Sequence, residues 1–409
     1  MHPQKIKNLA HQIILISSQL NNAPSLSSSI QNSQNQDYKK LVLEVEKAWS
    51  EKFSGQYIRQ IIGDLLRIAL AGDSEKLEEE IAKQNSHFEK YETLQEVYIP
   101  LHGIEIYSSD VLELGRVKLF QVTQERFDEL SSSMKNIIKT MAYSDTEKRH
   151  IAEENRNELE EKLGAGTICA KFCVVAEPRK AKELAIIEVT NVLKILRYSI
   201  TAFDYSGSMR IELGLADQKS SSGRSAFAIS EQGFWDNRER LTQSFRIHLN
   251  DTEKQKFHEI GLFDLSTIMS KTENKKTEFE KTLLRFLHWI SDSHEQFEKE
   301  NQLLSLFIGL ESLFGSGKNA VGFGVAMILG KGLQQRLDLK NEISRLYTKF
   351  RNPTVHGSES RVDEVSESNI IYLREITMKL MIHMLYLAKE KKISSRSELQ
   401  KLVEEMQLS

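Results

Sequence analysis

The spacing of apolar and polar residues divides the chain into a helical start, a β-rich middle and a helical end. Between residues 41 and 94 apolar side chains recur at helical spacing, with a break at Gly72-Asp73-Ser74. The pattern then changes to short pieces rich in β-branched and aromatic residues. After Asn250, a residue that suits a helix N-cap, helical spacing returns and continues almost to the end.

The middle of the chain contains short predicted strands and two predicted helices. Strands are expected where β-branched and aromatic residues stand between glycines such as Gly103 and Gly115, and helices where apolar residues recur every three or four positions. The predicted strands are 97–101, 117–120, 167–175, 209–215 and 225–229, and the predicted helices are 126–141 and 183–198. This pattern is typical of a mixed α/β domain.

The C-terminal part is predicted to be a helical bundle. Its predicted helices are 279–290, 301–314, 341–350 and 367–389. Helices with short connections pack as bundles, and the second one is apolar nearly all round, which places it at the centre. The last helix has a wider apolar surface than one bundle face requires. Its surplus is either core or a dimer interface that includes Met378, Met381 and Met384.

Together these patterns predict an α+β fold that is mostly α, in four regions. Residues 21–38 are rich in Ser, Asn and Gln and cannot bury enough apolar surface to order alone, so they are predicted to be a linker. The regions are a helical N-terminal region (1–95) that contains this linker, a mixed α/β regulatory or recognition domain (96–250), the helical bundle (251–395) and a C-terminal tail (396–409).

Composition and charge restrict where a partner can bind. The net charge is −3 and the pI is about 6.5, so there is no global positive field and any polyanion site must be local. Cys169 and Cys173 share one face of a predicted strand, as small buried hydrophobes do, which is the cysteine usage of a reducing compartment. With no signal peptide and no apolar run of about 18 residues, we expect a cytoplasmic protein without a membrane segment.

The strongest candidate chemistry is an arginine and a histidine near the C-terminus, Arg351 and His356. If Asn352 is an N-cap and Pro353 the first helical residue, Arg351 and His356 occupy the two positions that meet in a hydrophobic staple. A fixed cation beside an imidazole that titrates near neutrality can bind a phosphate and transfer a proton on the same group.

Glu311 is the anomaly of the central helix. It follows Phe307 by four residues and Ile308 by three, so its carboxylate should be buried and needs a partner. Arg351 is one candidate partner and a backbone donor is another. The sequence leaves open whether this acid supports a loop or takes part in catalysis.

Two further features place positive charge near this region. The segment Gly315-Ser316-Gly317-Lys318-Asn319 lacks the first glycine and the Ser/Thr of a P-loop, so it is predicted to be a glycine-rich turn from which Lys318 could still reach a phosphate. Residues 331–351 contain six basic residues against two acids, and Arg345 and Lys349 form an i,i+4 pair there. This charge is either an ordinary solvated helix face or a surface for a polyanion.

These elements in this order resemble the HEPN superfamily, specifically its ApeA-like branch. The resemblance covers roughly residues 255–395. It is carried by Leu306-Phe307-Ile308-Gly309-Leu310-Glu311-Ser312-Leu313-Phe314, the glycine turn, an apolar helix through 325–329, Leu346-Tyr347 and Arg351-Asn352-Pro353-Thr354-Val355-His356-Gly357.

The resemblance implies an endoribonuclease that uses neither a metal nor another cofactor and that dimerises to join two Arg/His motifs in one site. It implies that Arg351 binds and polarises the scissile phosphate, that His356 acts in general acid/base transfer with the RNA 2′-hydroxyl, and that Asn352 orients one of them. The expected products carry a 2′,3′-cyclic phosphate and a 5′-hydroxyl. Supporting residues would be Glu311 and Tyr347, and RNA-binding residues would be Lys318, Arg345 and Lys349.

The resemblance also implies a setting and partners. The expected substrate is RNA, with tRNA one candidate, and the expected assembly is a homodimer that a phage-derived or small-molecule trigger activates in anti-phage defence or toxin-like growth arrest. The alternative is a non-catalytic HEPN module that binds RNA or protein and has a ligand-sensing middle domain.

Overall fold

The computed structural model of the chain is mostly helical with a small sheet, which confirms the predicted fold class at this level. It describes residues 53–70, 94–107, 111–140, 143–203, 242–351 and 365–408, with shorter stretches between 39 and 83 and between 210 and 237. Residues 1–20 of the predicted helical N-terminal region, the predicted linker at 21–38 and residues 352–364 lie outside the described residues.

The predicted elements occur in the predicted order, and the described residues contain further helices and strands between them. The helices are α1 (Gly55–Leu70), α2 (Gln124–Thr140), α3 (Asp145–Leu163), α4 (Pro178–Ile200), α5 (Asp251–Glu259), α6 (Leu262–Ser270), α7 (Glu278–Glu295), α8 (Lys299–Phe314), α9 (Lys318–Leu329), α10 (Leu333–Leu346), α11 (Glu367–Glu390) and α12 (Arg396–Leu408). The strands are β1 (Leu94–His102), β2 (Ile104–Ile106), β3 (Leu112–Leu114), β4 (Val117–Gln121), β5 (Ile168–Val175), β6 (Arg210–Ile211), β7 (Gly214–Leu215), β8 (Ala226–Ser230), β9 (Gly233–Asn237), β10 (Thr242–Gln243) and β11 (Phe245–Ile247).

The chain forms two compact units. One contains Met1–Val97 and Phe172–Ile187, and the other contains Tyr98–Lys171 and Glu188–Ser409. In the first unit, α1 buries one face through residues three or four positions apart, as an amphipathic helix does. These residues are Ile58, Ile61, Ile62 and Leu65. Ser54 precedes α1, and its hydroxyl accepts a hydrogen bond from the Tyr57 amide at 3.3 Å, which satisfies one free amide of the first turn.

A five-stranded sheet in the order β3-β4-β5-β1-β7 forms the β part of the fold. Strands β3 and β4 pair antiparallel, and Gly115 in their connection has a φ of 62°, a conformation that glycine adopts without strain. Residues from β4, α2, α3 and β5 form one apolar cluster beside the sheet. Its buried members are Phe120, Val122, Phe127, Leu163 and Cys169.

The bundle is built around α8, as its apolar sequence predicts. Leu306, Phe307 and Leu310 are completely buried, and burial of each such side chain contributes roughly 1.5–3 kcal/mol. Glycines let α9 approach its neighbours closely. A Cβ on Gly324 would lie 2.3 Å from the Phe314 ring, and one on Gly322 would lie 2.6 Å from Ser344 Oγ.

The wide apolar surface of α11 is largely core. Met381 and Met384 are fully buried within one protomer, so the prediction that these two side chains adapt a dimer interface is wrong for them. Met378 is half-buried, while Ile371 and Tyr386 on the same helix are exposed. These three residues, together with the half-buried Tyr372 and Ile382, leave apolar surface on α11 for a second molecule.

The structure moves several predicted boundaries. Helix α10 begins at Leu333, earlier than the predicted start near residue 341. The predicted start was too late because Leu333 and Leu337 are exposed and so do not follow the pattern of one buried face. The predicted strand 209–215 is two short strands, β6 and β7. Residues 396–408, within the predicted tail, form α12, which buries Leu399 and Val403.

Candidate active site

Glu311 and Arg351 form an ion pair inside the bundle, between α8 and the turn that follows α10. Arg351 Nε lies 3.0 Å from Glu311 Oε1, and Arg351 Nη2 donates a hydrogen bond of 3.2 Å to Glu311 Oε2. The Nε–H of Arg351 is buried, but it does not point at Glu311 Oε1, so this contact is an ion pair and not a hydrogen bond. With side-chain exposures of 18% for Arg351 and 13% for Glu311, the pair is shielded from water and screened less than a surface pair. Of the two partners that the sequence left open for Glu311, the structure shows Arg351.

Tyr347 is the third member of this cluster. Its hydroxyl donates a short hydrogen bond to Glu311 Oε1 and accepts one of 3.2 Å from the Gly317 amide. The Arg351 guanidinium lies 5.4 Å from the Tyr347 ring centroid, within the range of a cation–π contact. Tyr347 therefore connects the glycine turn after α8 to the Glu311 carboxylate.

The environment of Tyr347 shifts its proton affinity. Burial, together with the hydrogen bond to the Glu311 carboxylate and its negative charge, raises the pKa of Tyr347, while Arg351 and the Gly317 amide oppose that rise. The phenol consequently stays protonated at neutral pH and acts as a hydrogen-bond donor.

A π-helical turn from Tyr347 to Arg351 gives this cluster its geometry. Such wider turns change the direction of side chains relative to a continuous α-helix and are frequent at functional sites. Phe350 and Tyr347 are buried on the inner side of the turn, and the Tyr347 ring meets the Phe307 ring edge-on at 5.3 Å. These apolar contacts fix the turn that holds Arg351.

The predicted RNA-binding residues lie at different places around this cluster. Lys318 is exposed and begins α9 immediately after Gly317. Arg345 and Lys349 are exposed on the outer side of α10 and its final turn, as predicted. Arg345 is engaged with Glu342 at 2.7 Å and 2.8 Å, so part of its charge is neutralised locally.

Another basic residue of the 331–351 segment serves the fold. Arg336 donates hydrogen bonds to the Gly330 carbonyl at 3.3 Å and to the Met406 carbonyl at 3.1 Å. These bonds satisfy backbone acceptors near the ends of two helices. The positive surface available to a polyanion is therefore smaller than the charge count suggests.

The remaining predicted catalytic residues, Asn352 and His356, lie outside the described residues. Their proposed places beside Arg351 stay predictions.

Arg396, which sequence reasoning missed, donates from Nε to the Leu313 carbonyl at 3.2 Å next to the glycine turn. The Ser-Ser-Arg-Ser-Glu run at 394–398 resembles a helix start and was the available signal.

Comparison with known proteins found no match for this chain, so the site is interpreted from its own geometry. No protein-family model matches the chain, and neither a curated protein nor a solved structure matches it. Among the described residues, no helix is long and apolar enough to cross a membrane. The same residues contain no group of three or more His, Cys, Asp and Glu side chains placed to hold a metal ion.

Proposed function

We propose that the chain is a metal-independent endoribonuclease of the HEPN type. The observation that carries the proposal is the pairing of Glu311 with Arg351 beside Tyr347, directly before the Asn352-Pro353-Thr354-Val355-His356 segment. A carboxylate that holds one edge of a guanidinium restricts its rotation. The other edge of the same planar fork then suits the two oxygens of a phosphate.

In the proposed reaction Arg351 binds the scissile phosphate and stabilises the charge that develops on it. His356 accepts the proton of the 2′-hydroxyl as its oxygen attacks phosphorus, the bond to the 5′-oxygen breaks, and that oxygen takes up a proton from a second histidine or from water. The products are a 2′,3′-cyclic phosphate and a 5′-hydroxyl. General acid/base transfer of this kind contributes about 10²- to 10⁴-fold in rate.

The wider setting also belongs to the proposal. A second copy of the chain completes the site, Asn352 orients His356 or the phosphate, and Lys318, Arg345 and Lys349 contact the RNA backbone. Activity in the cytoplasm, after a phage-derived or small-molecule trigger, would serve anti-phage defence or growth arrest. This setting rests on the resemblance of residues 255–395 to ApeA-like HEPN proteins.

A non-catalytic HEPN module is the second candidate, and one observation favours it. Arg351 already has a buried carboxylate partner, and a buried pair of this kind is sufficient reason to keep an arginine for structure alone. In this alternative the same surface binds RNA or protein without cleavage, and the β-rich middle segment senses a ligand.

The His356→Ala variant separates the two candidates, because only the enzyme requires a group at this position that transfers a proton. We expect this variant to keep the wild-type melting temperature and oligomeric state while losing RNA cleavage. A variant that retains full cleavage would remove His356 from the mechanism. RNA binding without cleavage by the wild type in infected-cell extract would support the non-catalytic module.

A further inference from the structure

The C-terminal helix α12 is fastened at both ends to the segments that flank α9. At its start, Arg396 Nε donates to the Leu313 carbonyl at 3.2 Å. Near its end, the Met406 carbonyl accepts from Arg336 Nη1 at 3.1 Å. Leu399 and Val403 between them are buried, so α12 is an integral part of the bundle.

Arg396 lies directly against the glycine turn between α8 and α9. The Leu313 carbonyl belongs to the last turn of α8, where carbonyls lack helical partners and a cation is favourable. Gly315, with a φ of 100°, follows, and a Cβ at this glycine would lie 3.0 Å from Arg396 Nη2. The arginine thus fills the space that the missing side chain leaves beside the turn.

The same turn is bonded to both residues that hold Arg351. The Gly315 amide donates to the Glu311 carbonyl at 2.9 Å, and the Gly317 amide donates to the Tyr347 hydroxyl at 3.2 Å. The Tyr347 hydroxyl in turn donates to the Glu311 carboxylate. Hydrogen bonds in such a chain polarise one another, so a displacement of the turn affects each of them.

We propose that Arg396 is a positioning residue for the Arg351 site: it fixes the glycine turn so that Gly317 and Tyr347 hold Glu311 in place beside Arg351. The effect of Arg396 on RNA cleavage rests on the function proposed above, whereas its effect on the pKa of Tyr347 does not. The competing explanation is that Arg396 caps α8 and contributes to stability alone.

A matched pair of variants distinguishes the two explanations. Arg396→Gln and Arg336→Gln each remove an arginine-to-carbonyl bond at one end of α12. Only the first removes a side chain that lies against the glycine turn, and the second also removes the bond to the Gly330 carbonyl. Three quantities are compared in the full chain: the melting temperature, the pKa of Tyr347 and the kcat and KM of RNA cleavage. The Tyr347 pKa is followed by NMR with ¹³Cζ-labelled tyrosine, with Tyr347→Phe to assign the resonance.

We expect both variants to lower the melting temperature, Arg336→Gln by at least as much as Arg396→Gln, because it also loses the bond to the Gly330 carbonyl. Arg396→Gln alone should move the pKa of Tyr347 further upward, because the Gly317 amide that opposes the rise is displaced. It should also lower kcat by about 3- to 30-fold with little change in KM, the size typical of coupling through neighbouring residues. Arg396→Lys should restore part of kcat and provides the comparison if Arg396→Gln fails to fold.

Equal Tyr347 pKa values in the two glutamine variants, with equal kcat, would overturn the positioning role. If the wild-type protein cleaves no RNA under any condition, the proposed function fails by itself. The Tyr347 resonance would still decide whether Arg396 controls the Glu311–Tyr347–Arg351 cluster.

Discussion

Arg351 Nε lies 3.0 Å from Glu311 Oε1, so the turn after α10 is joined to the last turn of α8. The contact orients the guanidinium and also stabilises the fold, since either charge alone would be buried without a partner. Loss of cleavage in a simple truncation of Arg351 would therefore have two explanations. A variant that keeps the positive charge but not the planar fork separates orientation from stability.

Arg351→Lys should separate the two roles of the arginine. Lysine keeps a positive charge near Glu311 but lacks the planar fork that holds a carboxylate and a phosphate together. We expect Arg351→Ala to lower the free energy of unfolding by about 2–4 kcal/mol and Arg351→Lys by about half as much or less. Both should reduce cleavage by about 10²-fold or more. Urea unfolding and RNA cleavage are the measurements, and a lysine variant with wild-type cleavage would contradict the phosphate-binding role.

Tyr347→Phe tests the hydrogen bonds of the phenol, because phenylalanine keeps the ring contact with Phe307. We expect a loss of about 1–2 kcal/mol in the free energy of unfolding at pH 8. The folded pKa of Tyr347 is raised above its ordinary value of 10.0, so its contribution is present below pH 10 and falls as the pH rises toward the folded pKa. The difference between wild type and variant should therefore shrink above about pH 10. A difference that stays constant from pH 8 to pH 11 would argue against the raised pKa.

The two cysteines should differ in reactivity. Burial raises the pKa of Cys169 to about 12, whereas Cys173 is half-buried on the same strand. At pH 8 a thiol with such a pKa is about one part in 10⁴ thiolate, and the thiolate is the reactive form. In the native protein we expect Cys173 to react with a thiol reagent and Cys169 to react only on unfolding. Rapid modification of the native Cys173→Ser variant would contradict this assignment.

Gly324→Ala should destabilise the bundle, because the added Cβ would lie 2.3 Å from the rigid Phe314 ring. We expect a loss of about 1–3 kcal/mol in the free energy of unfolding. Gly332→Ala is the matched control in the same bundle, since nothing lies within 4 Å of its added Cβ and its change should stay below about 1 kcal/mol. Similar losses in both variants would mean that α9 does not require the close approach to Phe314.

Sequence reasoning predicted the helices with a strong apolar pattern and missed those without one. The helix through Phe279 and Ile290 and the central helix around Leu306 were predicted within a few residues, because their buried faces follow the helical period. Helix α3 was missed, since Leu163 is its only buried described residue. Its signal was the capping box of Ser144 and Glu147, whose reciprocal hydrogen bonds begin the helix.

Side-chain contacts of the site were predictable where a charged residue stands on an apolar helix face. Contacts made to backbone groups were not predictable. Glu311 on an apolar face required a cationic or hydrogen-bonding partner, and Arg351 is one such partner. The bond from the Gly317 amide to Tyr347 depends on the course of a turn with a φ of 105° at Gly317, which the sequence does not specify. The run at 394–398 indicates a helix start at Arg396, but its contact could not be predicted for the same reason, because its partner is the backbone of a distant helix end.

The most direct test of the central claim is cleavage of total bacterial RNA in excess EDTA by the wild-type protein and by the Arg351→Ala/His356→Ala double variant, with the new RNA ends mapped chemically. We expect the wild type alone to cleave, leaving 2′,3′-cyclic phosphate and 5′-hydroxyl ends. Equal cleavage by the double variant, or wild-type cleavage that EDTA abolishes, would contradict this claim.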